Sequence, residues 1–191
     1  MSAEGTLDTS IDDVLTLSQE LTEGDGLIKG QIRLYDVDSD ADTLESDARR
    51  FFDRTLLTGG LEDSLKRLRD TLQGEDNNRL HEMYGPYGTG KSHQMVALYH
   101  CFQSPDVVGN WADGRIEGLG DALPDDALPI VVSLQKEQYD YLWEPLFEKL
   151  DYEPDEDDYD DEGGYPTIDV IQDAVGDRTV AFFMDELEDF F

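Results

Sequence analysis

The sequence predicts an α/β fold: a parallel β-sheet flanked by helices over residues 79–191, preceded by a mainly helical region over residues 1–78. Three observations predict it. First, Gly85-Pro86-Tyr87-Gly88-Thr89-Gly90-Lys91-Ser92 fits the pattern G-x-x-x-x-G-K-[ST]; a short apolar-alternating run, Leu80 to Tyr84, precedes it, and helical spacing at Met95, Leu98, Tyr99 and Phe102 follows. Second, Thr179 to Met184 is continuously apolar, of strand length, and ends in Asp185-Glu186, as strands buried on both faces of a parallel sheet do. Third, Pro129 to Leu134 reads as another such strand between them.

In chain order, residues 1–10 are small, polar and acidic, and Ile11, Val14, Leu15 and Leu21 predict a short amphipathic helix that Gly24 and Gly26 end. Ile28, Ile32, Leu34 and Val37 predict a strand interrupted at Gly30. Leu44, Ala48, Phe51 and Phe52 predict a helix with Thr43 as its cap. Gly59-Gly60 breaks the chain, and Leu61, Leu65, Leu68 and Leu72 form the next helical stripe, with Lys66, Arg67 and Arg69 on its solvated flank. After the glycine-rich loop and its helix comes a long crossover, residues 104–127, rich in Gly, Pro and Asp. Leu142, Leu146 and Leu150 then share a helix side, with Pro145 near a kink or a helix start. Residues 153–164 are a charged insertion, and a short helix from Thr167 to Val175 leads into the acidic-tipped strand.

The net charge of −32, from 46 acidic and 14 basic residues spread along the chain, is extreme. Such a surface repels itself at low salt and is screened in concentrated salt, which predicts a saline cytoplasm as its home. It argues against direct nucleic-acid binding by this segment, because such binding needs a positive groove. The single cysteine, Cys101, excludes an intrachain disulfide and a multi-cysteine metal site. No membrane partner is expected, and the location expected is cytoplasmic.

Each position of the loop motif, a Walker A pattern, has a chemical use. Gly85, Gly88 and Gly90 let the backbone curl so that N–H groups along residues 85–92, those of Tyr87 and Thr89 included but not Pro86, which has none, turn toward phosphate oxygens. The following helix adds its positive end at Lys91, Ser92 and His93. Residues 85–93 are therefore the expected cofactor-binding set for ATP. Lys91 would lie along the β- and γ-phosphates, and Ser92 would place its hydroxyl on Mg²⁺. Asp185 would bind the same Mg²⁺ through water, and Glu186 would polarise the attacking water, as in a Walker B strand end. Lys91 and Glu186 are thus the expected catalytic pair.

The strings FFDRTLLTGGLEDSLKRL, LHEMYGPYGTGKSHQMVALYHCFQSP and TVAFFMDELEDFF resemble the N-terminal part of a large prokaryotic ATPase family. Its members carry AAA-like P-loop domains and occur among phage-defence and restriction-associated systems. The acidic composition resembles that of proteins from extremely halophilic archaea. The resemblance implies a P-loop NTPase sheet of the additional-strand type. In that type a further strand carries a polar sensor, and an arginine comes from a neighbouring domain or subunit. The chain closes at Phe191, directly after the acidic-tipped strand, so the expected sheet is incomplete at its C-terminal side. A protein supplying the missing ATPase half, or a homo-oligomer, is the expected partner.

The expected function is ATP binding, with Mg²⁺-dependent hydrolysis if the site is completed. The alternatives are a non-catalytic nucleotide-responsive interaction module, a truncated inactive remnant, or, third, a small-molecule kinase.

Overall fold

The computed structural model describes residues 32–39, 43–134, 136, 139–155, 158–159 and 164–185. The helix predicted over residues 11–21 and the start of the strand predicted from Ile28 lie outside these residues. Helix α1, Leu34–Asp38, opens the described chain, where the alternation of Ile32, Leu34 and Val37 had predicted a strand. Leu34 and Val37 both face the core, and a separation of three places two side chains together only on a helix. A 3₁₀ turn, Leu44–Ser46, and α2, Ala48–Asp53, divide the helix predicted across this stretch. Each piece has its own cap: Thr43 accepts from Ser46 N–H and Asp47 accepts from Arg50 N–H.

Helix α3 runs Gly59–Leu72, so the two glycines read as a break are its first residues, with Thr58 Oγ1 accepting from Leu61 N–H. Its buried stripe is Leu61, Leu65 and Leu68; each such leucine contributes roughly 1.5–3 kcal/mol on leaving water. Helix α4, Lys91–Gln103, follows the glycine-rich loop. The long crossover contains α5, Pro105–Ala112, with proline in its first turn, and α6, Leu119–Ala122. Strand β1, Ala127–Ser133, is followed by α7, Glu144–Leu150, where Pro145 marks the helix start and not a kink. Helix α8, Ile168–Val175, is capped by Thr167, and β2, Thr179–Asp185, ends the described chain.

β1 and β2 pair in parallel, from Ala127 opposite Thr179 to Ser133 opposite Asp185, with α7 and α8 between them in sequence. The two faces of this ribbon bury different cores, as the alternation of side chains in a strand requires. Val131 and Phe183 join the cluster built by α1 to α6, around Phe51, Leu65, Val96 and Leu119. Ile130, Val132, Val180 and Phe182 join a second cluster with Phe147, Leu150, Val170 and Ala174 of α7 and α8.

This corrects the predicted fold class. Among the described residues the protein is largely helical with a two-stranded sheet, not the multi-stranded parallel sheet of an AAA-like, additional-strand P-loop NTPase. The predicted first strand, Leu80 to Tyr84, forms no helix or strand and joins no described sheet. Its alternation does sort the side chains: Met83 packs on the core, while Leu80 and Tyr84 are 67% and 82% exposed. Alternation specifies which side faces inward; a strand also needs a neighbouring backbone, and β1 pairs with β2 instead. β2, predicted as buried, is only half-buried from Val180 to Asp185.

Candidate phosphate-binding loop

Helix α4 brings the loop to the surface from a fixed base. Val96 to Cys101 are buried. Tyr99 and Phe102 meet Phe183 of β2 edge-on, with ring centroids 6.0 and 6.1 Å apart. Tyr99 Oη donates to Asp38 at 3.1 Å, and His100 Nε2 meets the Glu45 carbonyl oxygen at 2.8 Å. The C-terminal half is thus held from three directions. Residues 85–90, ahead of the helix, are exposed.

Gly85, Gly88 and Gly90 have φ of +151°, +81° and +85°, which residues with a Cβ rarely adopt. Gly90 is the N-cap of α4 and brings no side-chain cap. The helix's first internal bond runs from Gln94 N–H to Gly90 C=O at 3.0 Å. The N–H groups ahead of it, through Lys91, Ser92 and His93, are those a helix leaves to outside partners. A Cβ on Gly88 or Gly90 would meet nothing within 4 Å, so the space beside the loop is open.

Lys91 folds back over this loop. Its Nζ donates to the carbonyl oxygens of Gly85, at 2.7 Å, and Pro86, at 3.2 Å. Thr89 Oγ1 donates to the same Pro86 oxygen at 2.9 Å. An ammonium, two hydroxyls (Thr89 and Ser92) and a helix N-terminus lie within eight consecutive residues. These are groups of one electrical sense, suited to an anion with several oxygens.

The first turn of α4 is tied to α2 and α3. The His93 ring is half-buried, tilted against Phe51 with centroids 4.6 Å apart, and its Nε2 lies 3.2 Å from Thr55 Oγ1. Thr55 already donates its hydroxyl proton to Phe51 C=O at 2.8 Å. The His93 Nε2 therefore carries the hydrogen and donates to Thr55. Burial holds the imidazole below its ordinary pKa, with Glu45 partly opposing that. Next to it, the Gln94 side-chain amide lies within hydrogen-bond distance of Ser64 Oγ, at 3.2 Å. His93 thus adds a backbone N–H to the loop while its ring faces the other way. Thr55 and Ser64 were not anticipated from the sequence; the resemblance in FFDRTLLTGGLEDSL marked the stretch without assigning them a contact.

Ser92 stands in the first turn of α4, and Asp185 ends β2 opposite Ser133. The elements carrying them touch through Tyr99, Phe102 and Phe183. Among the described residues no three His, Cys, Asp or Glu side chains gather to hold a metal alone. A hydroxyl and a single carboxylate fit a Mg²⁺ that takes most of its ligands from phosphate and water. Glu186 lies outside the described residues.

Five other cations have structural partners among the described residues. Lys136, just beyond β1, bridges Asp36 at 2.7 Å and lies over the Tyr35 ring. Arg69 binds Asp70 and the Glu117 carbonyl, and Lys66 pairs with Glu62. Arg115 donates to Trp111 C=O and stacks on its ring; Arg178 donates to Ala174 and Val175 C=O at the end of α8. A cleft of about 650 Å³ beside α5 and α6 is lined by Asp106, Asp113, Glu117, Asp121 and Asp125 with Arg115. Its carboxylates would repel a phosphate, and it includes none of the loop residues.

No match exists for the chain among curated proteins or solved structures at significant similarity. Among the described residues no helix is long and apolar enough to cross a membrane. Residues 31–125 match the family described as the DUF499 N-terminal domain, a span that includes α1 to α6 and the whole glycine-rich loop and stops short of β1 and β2.

Proposed function

We propose that residues 85–92 bind the triphosphate of ATP, and that the chain is the nucleotide-binding segment of an ATPase of genome-defence type. One observation carries this reading: Lys91, the first residue of α4, holds its ammonium over the loop at Gly85 and Pro86. On ATP entry it exchanges two carbonyl oxygens for phosphate oxygens, which are better partners for an ammonium. The N–H groups at the start of α4 hold further phosphate oxygens, and the glycines leave room for them. The ATP-binding reading rests on this loop and helix; the Mg²⁺ and water roles alone draw on the end of β2.

Bound Mg²⁺ would neutralise charge on the β- and γ-phosphates. Ser92 and Asp185 are the residues that would hold it. Glu186 would orient the attacking water and accept its proton. Arg115 and Arg178 are engaged at helix carbonyls, so a further cation for the transition state would come from a second copy or a protein carrying the other ATPase half. The resemblance to phage-defence ATPases supports that setting. On the same reading the protein works in the cytoplasm, where ATP and Mg²⁺ are at hand.

Equilibrium ATP binding and steady-state hydrolysis in concentrated KCl test this reading, with the chain compared to Lys91→Ala and Glu186→Gln. Binding is expected in the parent and in Glu186→Gln and weakened about ten- to a hundredfold in Lys91→Ala; turnover is expected in the parent alone. Binding with no turnover above the variants would favour the nucleotide-responsive module. Absence of ATP binding by the parent would end the nucleotide reading.

A further inference from the structure

We propose that His93 is a positioning residue for the phosphate loop, acting through Thr55. The inference rests on the ATP-binding reading and adds to it how the loop is aimed. Lys91 and Ser92 project from a helix end whose glycine cap supplies no side-chain bond, so nothing in the cap sets the direction of that first turn. Its direction is set from outside. The His93 ring rests on Phe51, which is only 2% exposed, and its Nε2–H meets Thr55 Oγ1 at 3.2 Å.

Thr55 cannot swing away to follow the ring. Its hydroxyl is bound to Phe51 C=O at 2.8 Å and its N–H to Phe52 C=O at 3.2 Å, which fixes the oxygen relative to the core. Gln94 adds a second tie through Ser64, and a Cβ on Gly60 would come within 3.3 Å of Gln94 Nε2, so α3 stands directly behind this turn. A ring stacked on a core phenylalanine and hydrogen-bonded to an oriented hydroxyl leaves the first turn of α4 little rotational freedom. The loop's N–H groups and the Lys91 Cα are held in one orientation before the nucleotide arrives, which lowers the ordering cost of binding.

The test is ATP affinity of the full chain in concentrated KCl for Thr55→Val, Thr55→Ser, His93→Ala and the Thr55→Val/His93→Ala pair, with thermal unfolding measured without nucleotide. Thr55→Val and His93→Ala should each weaken ATP binding by about fivefold, the worth of one hydrogen bond. Thr55→Ser should restore it, and the pair should lose no more than the worse single variant. Thr55→Val also forfeits the bond to Phe51, so its melting temperature should fall in either background, and fall further where His93 is present. Unchanged ATP affinity in folded Thr55→Val and His93→Ala, or fully additive losses, would overturn the proposal. A parent chain that binds no ATP overturns both this inference and the reading beneath it; binding without sensitivity to Thr55 overturns this inference alone.

Discussion

Lys91 Nζ donates to the carbonyl oxygen of Gly85 at 2.7 Å, six residues back along the chain. The contact closes the glycine-rich loop around its own ammonium, so the lysine acts on the loop before any ligand does. Because both groups are exposed, the bond competes with water and holds the loop only weakly.

Lys91→Ala should therefore separate binding from stability. ATP affinity is expected to fall ten- to a hundredfold, since hydrogen bonds to a charged group are worth about 1.5–3 kcal/mol. Stability should move by less than about 0.5 kcal/mol, as for other exposed positions. Lys91→Arg should not rescue affinity, because a planar guanidinium does not replace a point charge at this loop. Isothermal titration and thermal melts, both in concentrated KCl, check the three outcomes.

Two glycines of the loop should respond differently to alanine. At Gly90, with φ +85° and nothing within 4 Å of a Cβ, the cost is backbone strain of about 1–2 kcal/mol. At Gly85, with φ +151°, a Cβ would also stand 2.9 Å from Thr89 Oγ1 and dislodge that hydroxyl from Pro86. Gly85→Ala should be the more damaging to ATP binding, and adding Thr89→Ala should recover part of its loss while leaving Gly90→Ala unaffected. Affinities of the four variants decide this.

His100 should make the fold acid-sensitive. The ring is 1% exposed, its Nε2 donates to Glu45 C=O, and among the described residues its Nδ1 has no hydrogen-bond partner. Burial holds its pKa below the ordinary 6.5, with Glu45 and Asp47 only partly opposing. The unfolded chain binds this proton at higher pH than the folded one, so stability is complete above about 6.5 and declines as pH falls toward the folded value. Urea midpoints between pH 7 and pH 5 should show the decline, and His100→Phe should flatten part of it. An equal slope in that variant would assign the effect to other groups.

Salt should stabilise the protein. With a net charge of −32, raising KCl from about 0.1 M to about 1 M shortens the Debye length from about 10 Å to about 3 Å and removes most of the self-repulsion. The melting temperature should climb across that range and continue only slightly beyond it. A midpoint independent of KCl would show that the acids are spaced widely enough not to repel.

The sequence by itself determined what depends on neighbours within a turn or two of chain. The stripe Leu61, Leu65 and Leu68, the cap at Thr43, the short helix ending at Val175, the helix after Lys91 and the bounds of β1 and β2 to within two residues all follow from local spacing. The glycine-rich loop was legible for the same reason, since its positive φ values belong to glycines whatever surrounds them. Tertiary structure decided the rest. Leu34 and Val37 suit a strand or a helix equally until the core shows that both must face it. Leu80 to Tyr84 alternates like a strand yet joins no described sheet, because a ladder is made by the partner's backbone and not by the strand's own pattern. The His93 ring turns to Phe51 and Thr55, 42 and 38 residues away in sequence. No local spacing encodes that contact; only packing α2 and α3 against the start of α4 creates it.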